Sequence, residues 1–367
     1  MNTRNVSTLR VVHAGDGRAR AVAEHQVDEA HDGTRNTDAR NTDALFTDAL
    51  FTDADAAHME QAITAALRGI QADPNPRVGC VIVPQDGSAP VTGWHRGAGT
   101  PHAEADALAR AGDSARGATA YVSLEPCTHT GRTGPCADAL LEAGIARVVY
   151  AVADPSNHAG GGARRLAEHG VSVQGGLLAD RARQVNRTWL HSAQTGRPFV
   201  TLKTATTLDG RVAAADGSSR WITGAEARAD AHHLRAGCGA ILVGSGTALI
   251  DDPALTVRDD AGALVGVQPL RVVVGHRAPA PGSRLGDDSA PTLHLPTHDV
   301  LDVLDRLHER GVHHALVEGG PTLAAAFLRA GMVDEMVVYL APALLGAGPP
   351  SVGDLGIPSI EHARRLT

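Results

Sequence analysis

The stretch Pro101-His-Ala-Glu104, answered downstream by Glu125-Pro-Cys127 and then Cys136, decides both the chemistry and the architecture of the first half of the chain. His102 and Glu104 stand two residues apart where a helix is predicted over 101–111. Cys127 follows a predicted strand over 118–124, and Cys136 lies in a predicted helix over 135–143. Three nitrogen and sulfur donors are one short of a closed structural zinc site, whereas a catalytic zinc needs three protein ligands and a water in the open fourth position. The metal lowers the pKa of that water toward neutrality, and a carboxylate that is not a ligand can carry its proton to a leaving nitrogen. His102, Cys127 and Cys136 are therefore the expected ligands of Zn2+, and Glu104 is the expected catalytic proton shuttle. A lone histidine or cysteine would more often be a packed core residue; the joint spacing carries the reading.

On either side of this stretch, strand and helix signals alternate. Met59, Ala62, Ile63, Ala66, Leu67 and Ile70 recur at helical spacing from about His58. Val78 to Val83 is a β-branched run, and 90–94 beyond the Asp86-Gly87 turn reads as its hairpin partner. A strand over 146–152, a helix over 163–169 and a strand over 171–173 follow, so residues 56–178 are predicted to form an α/β layer sandwich. Residues 179–197 read as a polar helical connector. The unit 198–367 repeats the alternation, with strands at 199–206, 239–244, 270–275, 312–318 and 333–340 and helices at 224–236, 299–310 and 321–330. Residues 1–55 differ from the rest: Thr-Asp-Ala recurs at 37–39, 42–44, 47–49 and 52–54. That period suits neither helix nor strand, and the polar composition predicts a disordered low-complexity extension.

Composition narrows the function classes. A chain of 367 residues with 43% apolar content can bury two cores. The net charge of −8 supplies no general field for a polyanion, which argues against nucleic acid and for a small-molecule substrate. No apolar run approaches the roughly 18 residues that span a bilayer, and four cysteines are too few for a disulfide framework. A cytoplasmic protein with no membrane partner is expected. The basic residues are almost all arginine, and Lys203 is the only lysine.

The His-x-Glu and Pro-Cys to Cys pattern resembles the zinc nucleobase and nucleoside deaminases. Those usually place two residues between the cysteines, whereas eight intervene here, in Glu125-Pro-Cys-Thr-His-Thr-Gly-Arg-Thr-Gly-Pro-Cys136. With Asp73-Pro-Asn-Pro-Arg-Val-Gly-Cys80 upstream, this half closely resembles the bifunctional riboflavin-biosynthesis deaminase–reductase family. The resemblance implies a cytidine-deaminase-like three-layer sandwich acting on a diaminopyrimidinone that carries a ribosyl phosphate. It points to Asn75, His129 and Arg132 as substrate contacts, with a solvated loop as the bland reading of the last two. Cys80 reads as a small core residue and His95 as a loop residue with no role. Asp154-Pro-Ser-Asn-His-Ala-Gly160 departs from the family's usual Asp-Pro-Asn-Pro.

No Gly-x-Gly-x-x-Gly follows a strand in the second unit, but glycine-rich strand ends occur at Ile241-Leu-Val-Gly-Ser-Gly-Thr247 and Leu316-Val-Glu-Gly-Gly-Pro-Thr-Leu323. Free N–H groups at the helix start near Pro321 and Thr322 make a natural pyrophosphate cradle. With Leu202-Lys-Thr-Ala-Thr-Thr-Leu-Asp-Gly-Arg211, Trp221-Ile-Thr-Gly224 and Asp251-Asp-Pro-Ala-Leu-Thr-Val-Arg258, the unit resembles the reductase half of the same family, a dihydrofolate-reductase-like α/β domain. The resemblance implies NADPH contacts at Ala205, Trp221, Thr247, Asp251, Gly320, Pro321, Thr322, Leu323, Ala324, Ala325 and Ala326. It implies substrate contacts at Ser219, Arg235, Leu255, Arg258 and Glu318, with Arg235 and Arg258 suited to a phosphate. Lys203, Asp251 and Glu318 are the polar candidates for proton handling, and a compact ammonium at Lys203 in an arginine-biased chain marks it as catalytic. The family also implies a homo-oligomer and a further closing strand beyond the 340–346 segment. The rival readings are a zinc nucleoside or nucleic-acid deaminase with an inactive or binding-only second domain, and a zinc-stabilised interaction protein. The second of these leaves Glu104 without a purpose.

Overall fold

The protein is described from a computed structural model, over residues 8–13, 51–129, 134–156 and 159–366. It divides into two compact units, one of residues 32–195 and the other of residues 1–31 with 196–367. The chain opens with β1 (Thr8–His13), a strand of the second unit. In the first unit follow α1 (Asp53–Ala66), β2 (Gly79–Val83), β3 (Val91–Trp94), α2 (Ala103–Ala111), β4 (Thr119–Val122) and α3 (Cys136–Glu142). It closes with β5 (Arg147–Tyr150), α4 (Gly162–Glu168), β6 (Ser172–Gly175), α5 (Ala179–Val185) and α6 (Arg187–Thr195).

Its sheet has the order β3-β2-β4-β5-β6. β2 is antiparallel to both its neighbours, and β4, β5 and β6 run parallel. Because side chains alternate across a strand, Val81, Tyr121 and Val149 face α1 and meet Met59, Ala62 and Ile63. Cys80, Ile82, Ala120, Val122 and Val148 face the other way, onto Ala103, Ala107, Ala137, Leu140 and Leu166 of α2, α3 and α4. The result is the expected three-layer sandwich, with Cys80 in its core. Two glycines set the spacing of the layers. A Cβ on Gly79 would lie 2.0 Å from the Ala62 carbonyl oxygen, and one on Gly93 would lie 2.5 Å from the Ala103 oxygen and the Ala107 nitrogen. Both helices therefore press backbone against backbone onto the hairpin.

The expectation of disorder over 1–55 needs correction where those residues are described. Thr8–His13 form β1, and α1 begins at Asp53 rather than near His58. Thr52 caps the helix: its hydroxyl accepts from the Asp55 N–H at 3.1 Å, while the Asp55 carboxylate accepts from the Thr52 N–H at 2.8 Å. Asp55 also accepts from the Tyr121 hydroxyl at 2.7 Å and from Arg147 at 2.6 Å. The last Thr-Asp-Ala repeat is thus a helix start anchored to the sheet, which the repeat's period conceals. Residues 14–50 lie outside the described residues.

The second unit continues with β7 (Phe199–Thr207), α7 (Ala225–Ala236), β8 (Ala240–Gly244), α8 (Ser245–Asp251), β9 (Leu270–Val274) and β10 (Thr292–Leu295). Then come α9 (Val300–His308), β11 (His314–Val317), α10 (Pro321–Ala330) and β12 (Glu335–Ala341). The sheet order is β1-β12-β7-β11-β8-β9-β10, and every pairing is parallel. One face packs on α9 and α10 through Leu202, Leu242, Val272, Val303, Leu307 and Phe327. The other meets α8 through Ile241, Val273 and Ala248, and α7 through Val337, Tyr339, Ala227 and Ala231. Coverage on both faces explains why β8 reads as an unbroken apolar run rather than as an alternating one, and why even Arg271 in β9 is fully buried. The short α8 and β10 carry no strong periodicity and were not foreseen.

The contact at Gly79 yields a test. Gly79→Ala should lower the stability of the first unit by about 1–3 kcal/mol, the usual cost of overpacking, read from the midpoint of its unfolding transition.

Candidate active sites

The first site is assembled where α2 and α3 begin. His102 is the N-cap of α2, Cys136 is the first residue of α3, and Cys127 lies on the loop that leaves β4. The His102 Nδ1 is 3.2 Å from the Cys136 Sγ and 3.6 Å from the Cys127 Sγ, and the three donor atoms lie within 4.8 Å of one another. The Cys136 backbone N–H points at the Cys127 Sγ at 3.4 Å, so the helix start is turned toward a sulfur that would carry negative charge. The Cys127 thiol is held well below its ordinary pKa, first by hydrogen bonding from Cys136 and then by His102. This donor set, one imidazole and two thiols with one made acidic, fits zinc with a position left open.

Glu104 projects from the first turn of α2 into the same cavity and is only 3% exposed. Burial, followed by the adjacent Cys127 sulfur, pushes its carboxyl up to about 7; a bound cation would draw it back down. The cavity, of about 270 Å³, is walled by Val78, Leu124 and Trp189 and rimmed by Asn75, His95 and His129. His95, read from the sequence as a loop residue without a role, is instead buried and fixed. Its Nδ1 faces the Pro101 carbonyl at 3.0 Å, so it carries the proton there, and its Nε2 is left to accept from the Asn75 amide at 3.2 Å. His129 is exposed at the mouth, its ring 6.3 Å from that of His102. Arg132 lies outside the described residues. Trp189 was missed because it stands on α6, which the sequence presents as a polar connector.

Asp154, Ser156 and Ala159, from the segment of unusual sequence, also line the cavity. Glu125, buried, accepts from the N–H groups of Asp154 at 3.1 Å, Gly161 at 3.1 Å and Ala163 at 3.0 Å. The Thr128 N–H is bonded to Ala159 O at 3.0 Å. A side chain at Gly162 would meet the Pro126 oxygen at 1.8 Å. Within the loop the Ser156 hydroxyl donates to the Asp154 carboxylate at 2.6 Å and accepts from the Ala159 N–H at 3.3 Å.

The second site lies at the carboxyl ends of the parallel strands β7, β8 and β11, the usual place for a ligand in such a sheet. A cleft of about 420 Å³ is lined by ten of the expected residues: Lys203, Ala205, Ser219, Trp221, Arg235, Thr247, Asp251, Glu318, Gly320 and Pro321. The two glycine-rich turns meet here, since the Gly320 N–H donates to the Thr247 hydroxyl at 3.2 Å. The remaining expected contacts are not brought to the cleft. The side chains of Leu323, Ala324 and Ala325 are buried in the core, that of Ala326 packs against it, and Thr322 is exposed on the helix. Leu255 is buried, and Arg258 bonds to Thr256 Oγ1 at 3.0 Å and Gly262 O at 2.6 Å on its own loop.

Arg235 likewise serves another purpose than the expected phosphate. Its Nε and Nη2 bind Glu318 bidentately at 2.7 and 2.9 Å, and its Nη1 reaches Thr256 O at 3.2 Å. The Lys203 ammonium lies 3.6 Å from the same carboxylate and 5.4 Å from the centre of the Tyr339 ring. Burial alone would raise the Glu318 carboxyl, but Arg235 and then Lys203 hold it at about 2. Lys203 is therefore a cation kept beside an ionised carboxylate at the floor of the cleft. The arrangement offers a proton donor and backbone amides for an anion. Tyr339, beneath Lys203, was read only as part of a strand.

Comparison with known proteins agrees with both sites. The family model of the cytidine and deoxycytidylate deaminase zinc-binding region matches residues 52–152, and that of the RibD C-terminal domain matches residues 198–367. Riboflavin biosynthesis protein RibD of Mycobacterium tuberculosis is 51% identical over 293 residues, which cover 80% of this chain and 86% of that protein. Its namesake from Escherichia coli is 44% identical, covering 80% and 89%. The structure of Acinetobacter baumannii RibD superposes with a TM-score of 0.75 at 40% identity, covering 81% of this chain and 89% of the other. That of a diaminohydroxyphosphoribosylaminopyrimidine deaminase and 5-amino-6-(5-phosphoribosylamino)uracil reductase from Thermotoga maritima does so with a TM-score of 0.73 at 32%, covering 83% and 93%. With this identity sustained across both units, the chain belongs to the RibD family of riboflavin biosynthesis and combines a zinc deaminase with a reductase in one polypeptide.

Proposed function

We propose that the first cavity deaminates the diaminopyrimidinone ribosyl phosphate for which the Thermotoga maritima relative is named, and that the second cleft reduces the product's ribosyl group to ribityl with NADPH. The convergence of three zinc donors and the buried Glu104 on one cavity carries the first assignment. Zinc, when bound by His102, Cys127 and Cys136, supplies the Lewis acidity that makes a water nucleophilic near neutral pH. Glu104, with a carboxyl tuned by burial, can take up a proton and release it at the leaving nitrogen at small free-energy cost. His95 orients the Asn75 amide toward a polar ring edge, and Val78, Leu124 and Trp189 offer apolar walls that exclude water from a flat ring.

In the second cleft NADPH, when bound, supplies the reducing equivalent. The first turn of α10 and the Thr247 hydroxyl suit its phosphates, with Trp221 and Ser219 on the rim. Lys203, 3.6 Å from Glu318 at the floor of the cleft, is placed to donate a proton to a ring-opened ribosylamine. The four cysteines are all free and buried, which suits a reducing, cytoplasmic setting, and a homo-oligomer is part of the same proposal.

The test is to incubate the purified protein with the diaminopyrimidinone ribosyl phosphate and to follow ammonia with and without NADPH; ammonia that depends on NADPH, or none at all, would sink the order of steps. Glu104→Gln should retain zinc by metal analysis while ammonia release falls by about 10²-fold or more. Lys203→Ala should slow NADPH oxidation by a similar factor and leave ammonia release intact; loss of both activities would mean the chemistries are not divided between the units. Glu318 makes a pH prediction. Its folded pKa, about 2, lies below the ordinary 4.5, so its ionised form stabilises the fold above pH 4.5 and that contribution is lost as the pH falls toward 2. The second unit's thermal transition should drop across this window. Glu318→Gln should make the drop shallower while costing about 3–5 kcal/mol at neutral pH, because it leaves buried Arg235 without its counter-charge.

A further inference from the structure

Among the described residues, one element precedes both segments that match known families: β1 lies before residues 52–152 and 198–367. It nevertheless joins the reductase sheet, pairing parallel with β12 from Thr8 beside Glu335 to His13 beside Leu340. Without it β12 would be a sheet edge, and Glu-Met-Val-Val-Tyr-Leu-Ala, rich in β-formers, would present unpaired backbone groups along its length. That edge lies close to the chemistry. Tyr339 of β12 lines the reductase cleft, places its ring beneath the Lys203 ammonium and donates its hydroxyl to Asp230 of α7 at 2.8 Å. Arg10 of β1 reaches the same Asp230 carboxylate at 3.9 Å. Contacts therefore run from β1 through Asp230 and Tyr339 to Lys203.

Magnitudes separate the two ties. The Arg10 and Asp230 side chains are 39% and 28% exposed, and such a pair is worth at most about fivefold in an equilibrium. The backbone ladder, six residue pairs long, is the stronger tie. We propose that Thr8–His13 is an intrachain edge strand that completes the reductase sheet and holds Tyr339, and through it Lys203, in position. Arg10, Asp230 and Tyr339 are positioning residues in this scheme. It rests on the reductase reading of the second cleft, but its principal test does not.

Hydrogen exchange followed by mass spectrometry, without substrate or cofactor, compares the full chain with a variant lacking residues 2–13. The amides of Glu335–Ala341 should exchange about tenfold faster or more in the shortened chain, while those of β8 in the sheet interior stay unchanged. Arg10→Pro/Val11→Pro should reproduce the effect, because one of two adjacent prolines falls on the side facing β12 whichever way the amides alternate. NADPH turnover should fall severalfold in both variants through kcat rather than KM, with ammonia release unchanged, and Arg10→Lys should restore what Arg10→Ala loses. Unchanged exchange over Glu335–Ala341, or joint loss of both activities, overturns the proposal. A full-length dimer that becomes monomeric on deletion also overturns it, since the strand would then belong to the sheet of a second copy. Absence of NADPH turnover in the full chain would count against the cofactor assignment and leave the exchange result standing.

Discussion

The deaminase site depends on how closely α2 can lie on its hairpin. Gly93 leaves no room for even a methyl group between β3 and the backbone of Ala103 and Ala107, and Gly79 does the same for α1. Because α2 is pinned at its beginning, the residues that cap and open it, His102 and Glu104, have a fixed origin. The ligands opposite are equally tied to backbone: Cys136 starts α3, and the loop carrying Cys127 is fastened by Glu125 to the chain that leads into α4. A metal site needs donor atoms placed within a few tenths of an ångström, and here that accuracy comes from close-packed main chain rather than from the donors themselves.

The two sites differ in how much of them the sequence exposes, for a physical reason. His102, Glu104, Cys127 and Cys136 sit at the ends of regular elements with short separations, so motif and periodicity together place them. In the reductase cleft, residues from β7, α7, α8 and β11 converge across the sheet, and nothing local says which side chain will face which. Arg235 illustrates the difficulty: a basic residue near the end of a predicted helix suits a phosphate, yet in the fold its fork is committed to Glu318. The run Ala324 to Ala326 shows the opposite difficulty, since only the first turn of a helix has amides to offer and from Ala324, whose N–H is bonded to the Gly320 carbonyl, they are used within the helix. His95 was hidden because its two hydrogen-bond partners, Asn75 and Pro101, are identified only by the tertiary structure. The fold class was legible throughout, with the exceptions of β1, whose partner strand is at the far end of the chain, and of α8 and β10, which are too short to show a period.

Lysine scarcity acquires a geometric meaning at Lys203. A guanidinium is already present beside Glu318, so charge alone does not explain a second cation there. The ammonium is smaller, stands over the Tyr339 ring, and can give up a proton, which an arginine cannot do at any ordinary pH. Arg235 and Lys203 thus divide two tasks between two chemically distinct cations: one fixes the carboxylate, and the other is free to act.

The pairing of β1 with β12 also makes the reductase unit discontinuous, with the whole deaminase unit inserted between its first strand and the rest. The paired residues are separated by over three hundred positions along the chain. Closure of so long a loop costs entropy that only late contacts can repay, and during synthesis the deaminase unit emerges and can fold before β12 exists. The pairing of β1 with β12 is therefore the contact of greatest sequence separation in the reductase sheet, of the kind that costs most loop-closure entropy to form.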